Sequence, residues 1–198
     1  MTDAEPRPEE IDEDLSLVYV TFSAGVTQDT TEVLIDAMAQ CANADAREVH
    51  LLLSTHGGNV TNGINLYNVL RGFPFKLVTH NAASVASIGV ALYLAGEERL
   101  ACPGSTFVLH GVTFEAYAGQ LFDAAGLRER RESVLADEAK INAILGERTS
   151  LDAERLQRVA ESEQTMGAEQ AVEDGVAHRI EEIEIPPEAF VMALRFDR

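Results

Sequence analysis

Three segments of the chain carry residues whose types and spacing suit nucleophilic attack on a carbonyl. "STHGGNVTNG" (54–63) places the adjacent glycines Gly57 and Gly58 between an apolar run and a helix-like segment. "AASVASIGVAL" (82–92) sets Ser84 and Ser87 among small residues at the start of an apolar helix, and "TFVLH" (106–110) ends on His110. An attacking serine needs a base to take its proton, most often a histidine. The carbonyl oxygen it attacks needs N–H donors as it becomes an oxyanion. Glycine amides and the first turn of a helix offer such donors. Each segment also has a plainer reading: the Gly-Gly pair as a tight turn at positive φ, the serine as a helix cap, the histidine as a structural or solvated side chain.

Several other chemistries are excluded by what surrounds these residues. No G-K-[ST] follows the glycines and no GxGxxG occurs, so neither a phosphate loop nor a dinucleotide fingerprint is present. Val85 stands where a G-x-S-x-G elbow would have its first glycine, which argues against an α/β-hydrolase. His56, His80 and His110 are expected near the carboxyl ends of strands, where α/β proteins gather their sites; His50 and His178 lie elsewhere. A metal site built from those three has no HxxxH or CxxC spacing behind it, and neither a metal nor a cofactor is expected.

The elements that must position these groups alternate in type. "LSLVYVTF" (15–22), "EVHLLLST" (48–55) and "FKLVTHN" (75–81) read as buried strands. Between them, 27–44 places Val33, Leu34, Ala37, Met38 and Cys41 at helical spacing, with Thr30 or Thr31 as the cap. The segment 62–73 reads as a helix ending near Gly72 and Pro74. "SIGVALYLAG" (87–96) is a buried helix, too short for the about 20 residues a membrane span requires. Two short strands, 99–103 and 106–110, are divided by Pro103-Gly104-Ser105. From about Leu121 the chain turns polar and helical, with helices expected over 127–150 and 151–163, then a short helix, a break at Gly175 and a final strand within 167–185. Strand-helix alternation with continuous apolar strands predicts an α/β fold with a mostly parallel sheet.

The 198 residues suffice for one domain with a proper core. The formal charge of −18 argues against nucleic acid or an anionic membrane as partner. Residues 1–14 hold much of that charge and are expected to be a mobile acidic leader without the apolar stretch of a signal peptide. The remainder, 15–198, is expected to be a single domain. Cys41 and Cys102 are too few for a disulfide framework, which fits a reducing cytoplasm.

Taken together the segments resemble the proteolytic subunit of the Clp protease, a member of the crotonase-like superfold. "HGGNVTNGINLYN" is similar to that family's Gly-Gly oxyanion loop, with His56 where the family usually has proline. "ASIGVALYLAG" is similar to its nucleophile segment and selects Ser87 over Ser84. "CPGSTFVLH" resembles the strand that ends on its catalytic histidine, and "GAEQAVEDGVAHRI" its C-terminal segment, with Asp174 in place of a tyrosine. The resemblance covers about residues 16–182. It implies repeated β-β-α units, a protruding helical handle over about 121–146, and a serine-type endopeptidase of the ATP-dependent Clp kind. Ser87 is then the nucleophile, His110 the base and Glu163, in "ESEQTMGAEQ", the acid that orients it, with Glu161 and Asp174 as fallbacks. Gly57, Gly58 and Ile88 form the oxyanion hole, the glycine being needed because a Cβ would crowd the substrate carbonyl. Peptides or unfolded proteins are the implied substrates, a heptameric ring or stacked rings the implied assembly, and an AAA+ unfoldase the implied partner. After His110 the chain departs from the family's Q-P and Gly-rich strand, reading "GVTFEAYAGQLFDAAG". The competing readings are a catalytically silent scaffold of the same family and a crotonase-like acyl-CoA enzyme.

Overall fold

The computed structural model describes residues 15–196; the acidic leader expected over 1–14 lies outside them. In chain order the elements are β1 (Leu17–Ser23), α1 (Gln28–Asn43), β2 (Glu48–Thr55), α2 (Val60–Leu70), β3 (Lys76–Ala86), α3 (Ile88–Tyr93), β4 (Glu98–Ala101) and β5 (Thr106–Leu109). There follow α4 (Ala124–Arg148), α5 (Ala153–Glu161), β6 (Gln164–Gly167), α6 (Ala168–Glu173), β7 (Arg179–Ile180) and β8 (Phe190–Ala193). The strands form one sheet with the order β6-β5-β3-β2-β1-β8, while β4 also pairs with β3 and carries β7. All pairings are parallel except β5 with β6. This is the α/β architecture with a mostly parallel sheet that the sequence predicts.

The apolar runs of β1 and β2 supply the core: Val18, Val20 and Phe22 on β1, and Val49, Leu51 and Leu53 on β2, are at most 1 % exposed. The periodic face of α1, Leu34, Ala37, Met38 and Cys41, packs into the same core. Every residue of α3 is buried, as a helix apolar all round must be. In contrast, α4 buries only Ile144 and Leu145 of its 25 residues, so most of it stands clear of the core.

The structure corrects the sequence reading in several places. The cap of α1 is Thr27, whose hydroxyl accepts from Thr30 N–H while Thr30 Oγ1 accepts from Thr27 N–H. Thr30 is therefore the inner partner of a capping box rather than the cap, and Thr31 is buried within the helix. Strand β3 runs on to Ala86 rather than ending near Asn81, because it changes partners. Val78–Asn81 pair with β4, whereas Ser84–Ala86 pair with β5. Ser84 is thus a strand residue facing Thr106 Oγ1 at 3.2 Å, not a residue of the apolar helix. The final strand expected within 167–185 is only β7, since its acidic continuation stays outside the sheet. The short β6 has no continuous apolar run to announce it; β8 does, within "AFVMAL" (189–194), and the sequence reading passed over it.

Candidate active site

The partner exchange along β3 brings the chemically suited residues together. Its last paired residue, Ala86, stands opposite Val108 of β5. Ser87 N–H then donates to Val108 O at 2.8 Å, and Val90 N–H returns to Ser87 O at 3.0 Å. Held between a strand end and the first turn of α3, Ser87 adopts φ 56°, ψ −134° and makes no side-chain capping bond. A non-glycine residue at positive φ is strained and persists only where its surroundings impose it. The helix-cap reading of Ser87 therefore fails, and its hydroxyl is left facing a cleft shared with Gly58 and His110.

The Gly-Gly loop is shaped by two close approaches. Gly57 has φ 86°, and a Cβ there would stand 2.7 Å from Ser87 Cβ and 2.7 Å from Ala86 O. Gly58 has φ 152°, and its Cβ would stand 2.3 Å from Val26 O. The bare backbone at Gly58 is required by its bridge to Val26, which corrects the expectation that crowding of a substrate explains the glycine. That bridge uses Val26 N–H to Gly57 O and Asn59 N–H to Val26 O, both 2.8 Å. In such a parallel pattern the central residue's own N–H points away from the bridge, so the Gly58 amide stays out of it. Ile88 is the first residue of α3, and its N–H has no intrahelical acceptor.

His110 follows β5 directly and is half-buried. Its Nδ1 lies 2.7 Å from Gly111 O. A carbonyl only accepts, so Nδ1 carries the proton and neutral His110 presents Nε2 as an acceptor. Ser87 and the His110 ring line one cleft with no hydrogen bond between them, and catalytic bonds are often long before substrate binds. The antiparallel register pairs Leu109 with Gln164, so the next position sets Glu163 opposite His110. Both line one groove, but Glu163 is exposed, and no hydrogen bond joins the two. Of the fallbacks, Asp174 is held by Arg155 Nη2 at 2.7 Å and Glu161 accepts from Gln157 Nε2 at 2.9 Å.

The sequence reading did not single out the residues that α4 contributes. Glu138, Ile141, Asn142 and Leu145 line the same cleft as Ser87. Their spacing of three, four and seven marks a single helical face, a signal that was present but masked by the polar residues around it.

Of the three histidines expected near carboxyl ends of strands, His56 and His110 directly follow β2 and β5, whereas His80 does not lie at such an end. His56 is exposed after β2, its ring against Gly25. His80 is mid-strand and 3 % exposed. It bonds His50 Nδ1 through Nε2 at 2.8 Å, and His50 Nε2 bonds Glu48 Oε1 at 2.7 Å. Burial, and secondly His50, hold His80 down at a pKa of about 4. For Glu48, burial opposes ionisation, but the bonds from His50 and Lys76 outweigh it and keep the carboxyl below its usual range. His80 thus serves the sheet interior, away from Ser87, and the three-histidine metal site is not assembled. Among the described residues no group of three or more His, Cys, Asp or Glu side chains is arranged to hold a metal ion.

A parallel α/β sheet that delivers a strained serine and a histidine to one cleft has relatives among known proteins. The fold is similar to that of a ClpP1 point mutant from Listeria monocytogenes, with a TM-score of 0.74 at 17% identity, covering 86% of this chain and 93% of that one. The family model for Clp protease matches residues 11–184, and the chain belongs to the Clp protease family. It is 24% identical over 157 residues to the ATP-dependent Clp protease proteolytic subunit 3 of Rhizobium meliloti (strain 1021), a match covering 78% of each.

Proposed function

We propose that the chain is a serine-type endopeptidase subunit of the ATP-dependent Clp kind, hydrolysing peptides or unfolded proteins in the cytoplasm. The observation that carries this reading is Ser87: a strained backbone, a hydroxyl that caps nothing, and a histidine base in the same cleft. Ser87 Oγ attacks the scissile carbonyl, and His110 Nε2 takes the proton and returns it to the leaving amine. The Gly58 and Ile88 amides stabilise the oxyanion, each donor worth about 3 kcal/mol in comparable enzymes, and Gly57 sets the loop against Ser87. The reading does not depend on a bond from Glu163 to His110. Ring assembly and delivery of substrate by an AAA+ unfoldase complete it. Its test is cleavage of a fluorogenic peptide, which Ser87→Ala and His110→Ala should each abolish; cleavage retained by Ser87→Ala would refute the assignment.

The exposed Glu163 and the lack of a hydrogen bond between Ser87 and His110 favour one second reading, a catalytically silent scaffold of the same family. Wild type and Ser87→Ala would then be equally inert.

A further inference from the structure

His110 is held by a peptide group, and that peptide is gripped from the far side by a carboxylate. Gly111 O accepts from His110 Nδ1–H at 2.7 Å, while Val112 N–H donates to Glu138 Oε1 at 3.2 Å. The carbonyl and the amide belong to one planar trans unit, so the two bonds lie on its opposite sides. Such a unit is polarised by both partners, each bond strengthening the other. Residue 111 must be glycine for this approach: a Cβ there would stand 2.6 Å from Ala160 O and 3.1 Å from Glu138 Oε1. Glu138 projects from α4 and lines the cleft that holds Ser87 and His110. The other charged side chains lining the groove beside His110 are Glu161 and Glu163, neither bonded to the ring.

We propose that Glu138 is the positioning residue for His110, acting through the Gly111–Val112 peptide in the role that the sequence assigned to Glu163. The proposal rests on the Ser87–His110 reading above. The Glu138 charge on the amide side raises the negative charge on Gly111 O. This holds the Nδ1–H tautomer and stabilises the imidazolium formed when Nε2 takes the Ser87 proton. Glu138 gains and loses no proton in the cycle.

The test compares Glu138→Gln, Glu138→Ala and Glu163→Gln in the full-length chain. Glutamine still accepts from Val112 N–H but carries no charge; alanine does neither. Two quantities are read: the His110 titration by NMR of labelled histidine, and the pH dependence of fluorophosphonate labelling of Ser87. In Glu138→Gln, His110 should keep its tautomer and titrate lower by roughly half a pH unit or more. The acid limb of labelling should move the same way. Glu138→Ala should label roughly tenfold more slowly, glutamine should restore part of the rate, and Glu163→Gln should match wild type. An unshifted His110 titration in Glu138→Gln overturns the proposal, as does a loss in Glu163→Gln equal to that in the Glu138 variants. If wild type fails to label while the titration still shifts, the catalytic reading fails and the positioning role stands.

Discussion

Ser87 sits at φ 56°, a conformation that costs a non-glycine side chain about 1–3 kcal/mol. Alanine at 87 keeps that cost and glycine removes it. Ser87→Gly is therefore expected to be more stable than Ser87→Ala by about 1 kcal/mol, measured by urea denaturation; equal stabilities would mean the turn is unstrained. His80 makes a second prediction. Its folded pKa of about 4 lies below the ordinary 6.5, so the unfolded chain binds the proton more readily. Above pH 6.5 neither state carries it and the full stability is present. As pH falls towards 4, protonation of the unfolded state removes up to about 3 kcal/mol. The pH dependence of unfolding between those limits should be shallower in His80→Leu than in wild type; identical slopes would contradict the buried neutral histidine. At this scale Ser87, His110 and the two glycines were legible as candidates because each sits in a short local motif, even though Ser87 and Gly58 meet Val108 and Val26 from far along the chain. Glu138 was not, since no local motif surrounds it and its contact with Val112, 26 positions away, exists only in the fold. The departure after His110 gave one clue: where the resembling family has proline, Val112 supplies the amide that Glu138 accepts.

At the scale of elements, β3 is the one that builds the site. Its exchange of β4 for β5 carries the chain beyond Asn81 to Ser87, and the sequence concealed this because small residues 82–86 read equally well as the start of a helix. Strands β1 and β2 and helix α1 were legible from long apolar or periodic runs; β6 has no such run and depends on a partner that only the tertiary fold provides. Two arginines tie the helix ends around the site. Arg99, 5 % exposed, donates to the carbonyls of Val176, Arg148 and Gly175. Arg148 donates to Leu94 O and Gly96 O beyond α3. Removing Arg99 strands three carbonyls at helix ends. Arg99→Leu is expected to lower stability by about 3 kcal/mol or more, read as the change in urea midpoint; a loss under about 0.5 kcal/mol, as at an ordinary surface position, would show that water replaces the guanidinium.

At the scale of the whole molecule, five of the nine large apolar side chains exposed among the described residues lie on α4 or the segment before it, while Val33, Ile180, Ile185 and Val191 lie elsewhere. Phe114, Tyr117, Leu121, Leu127 and Leu135 are all at least 44 % exposed, Leu121 at 94 %. Phe114 and Leu127 line one groove, and a concentration of exposed apolar side chains marks an interaction site, which supports self-assembly through this arm. Light scattering should therefore show an oligomer, and Leu121→Glu with Leu127→Glu should shift it towards monomer without unfolding the chain. A wild-type monomer at micromolar concentration would contradict a chambered assembly. No helix among the described residues is long and apolar enough to cross a membrane.

The most direct test of the central claim is to locate a fluorophosphonate adduct by mass spectrometry. The account predicts that the adduct falls on Ser87 in wild type and is lost in His110→Ala, which keeps the nucleophile but removes its base. An adduct on another residue, or labelling of Ser87 undiminished without His110, would contradict it.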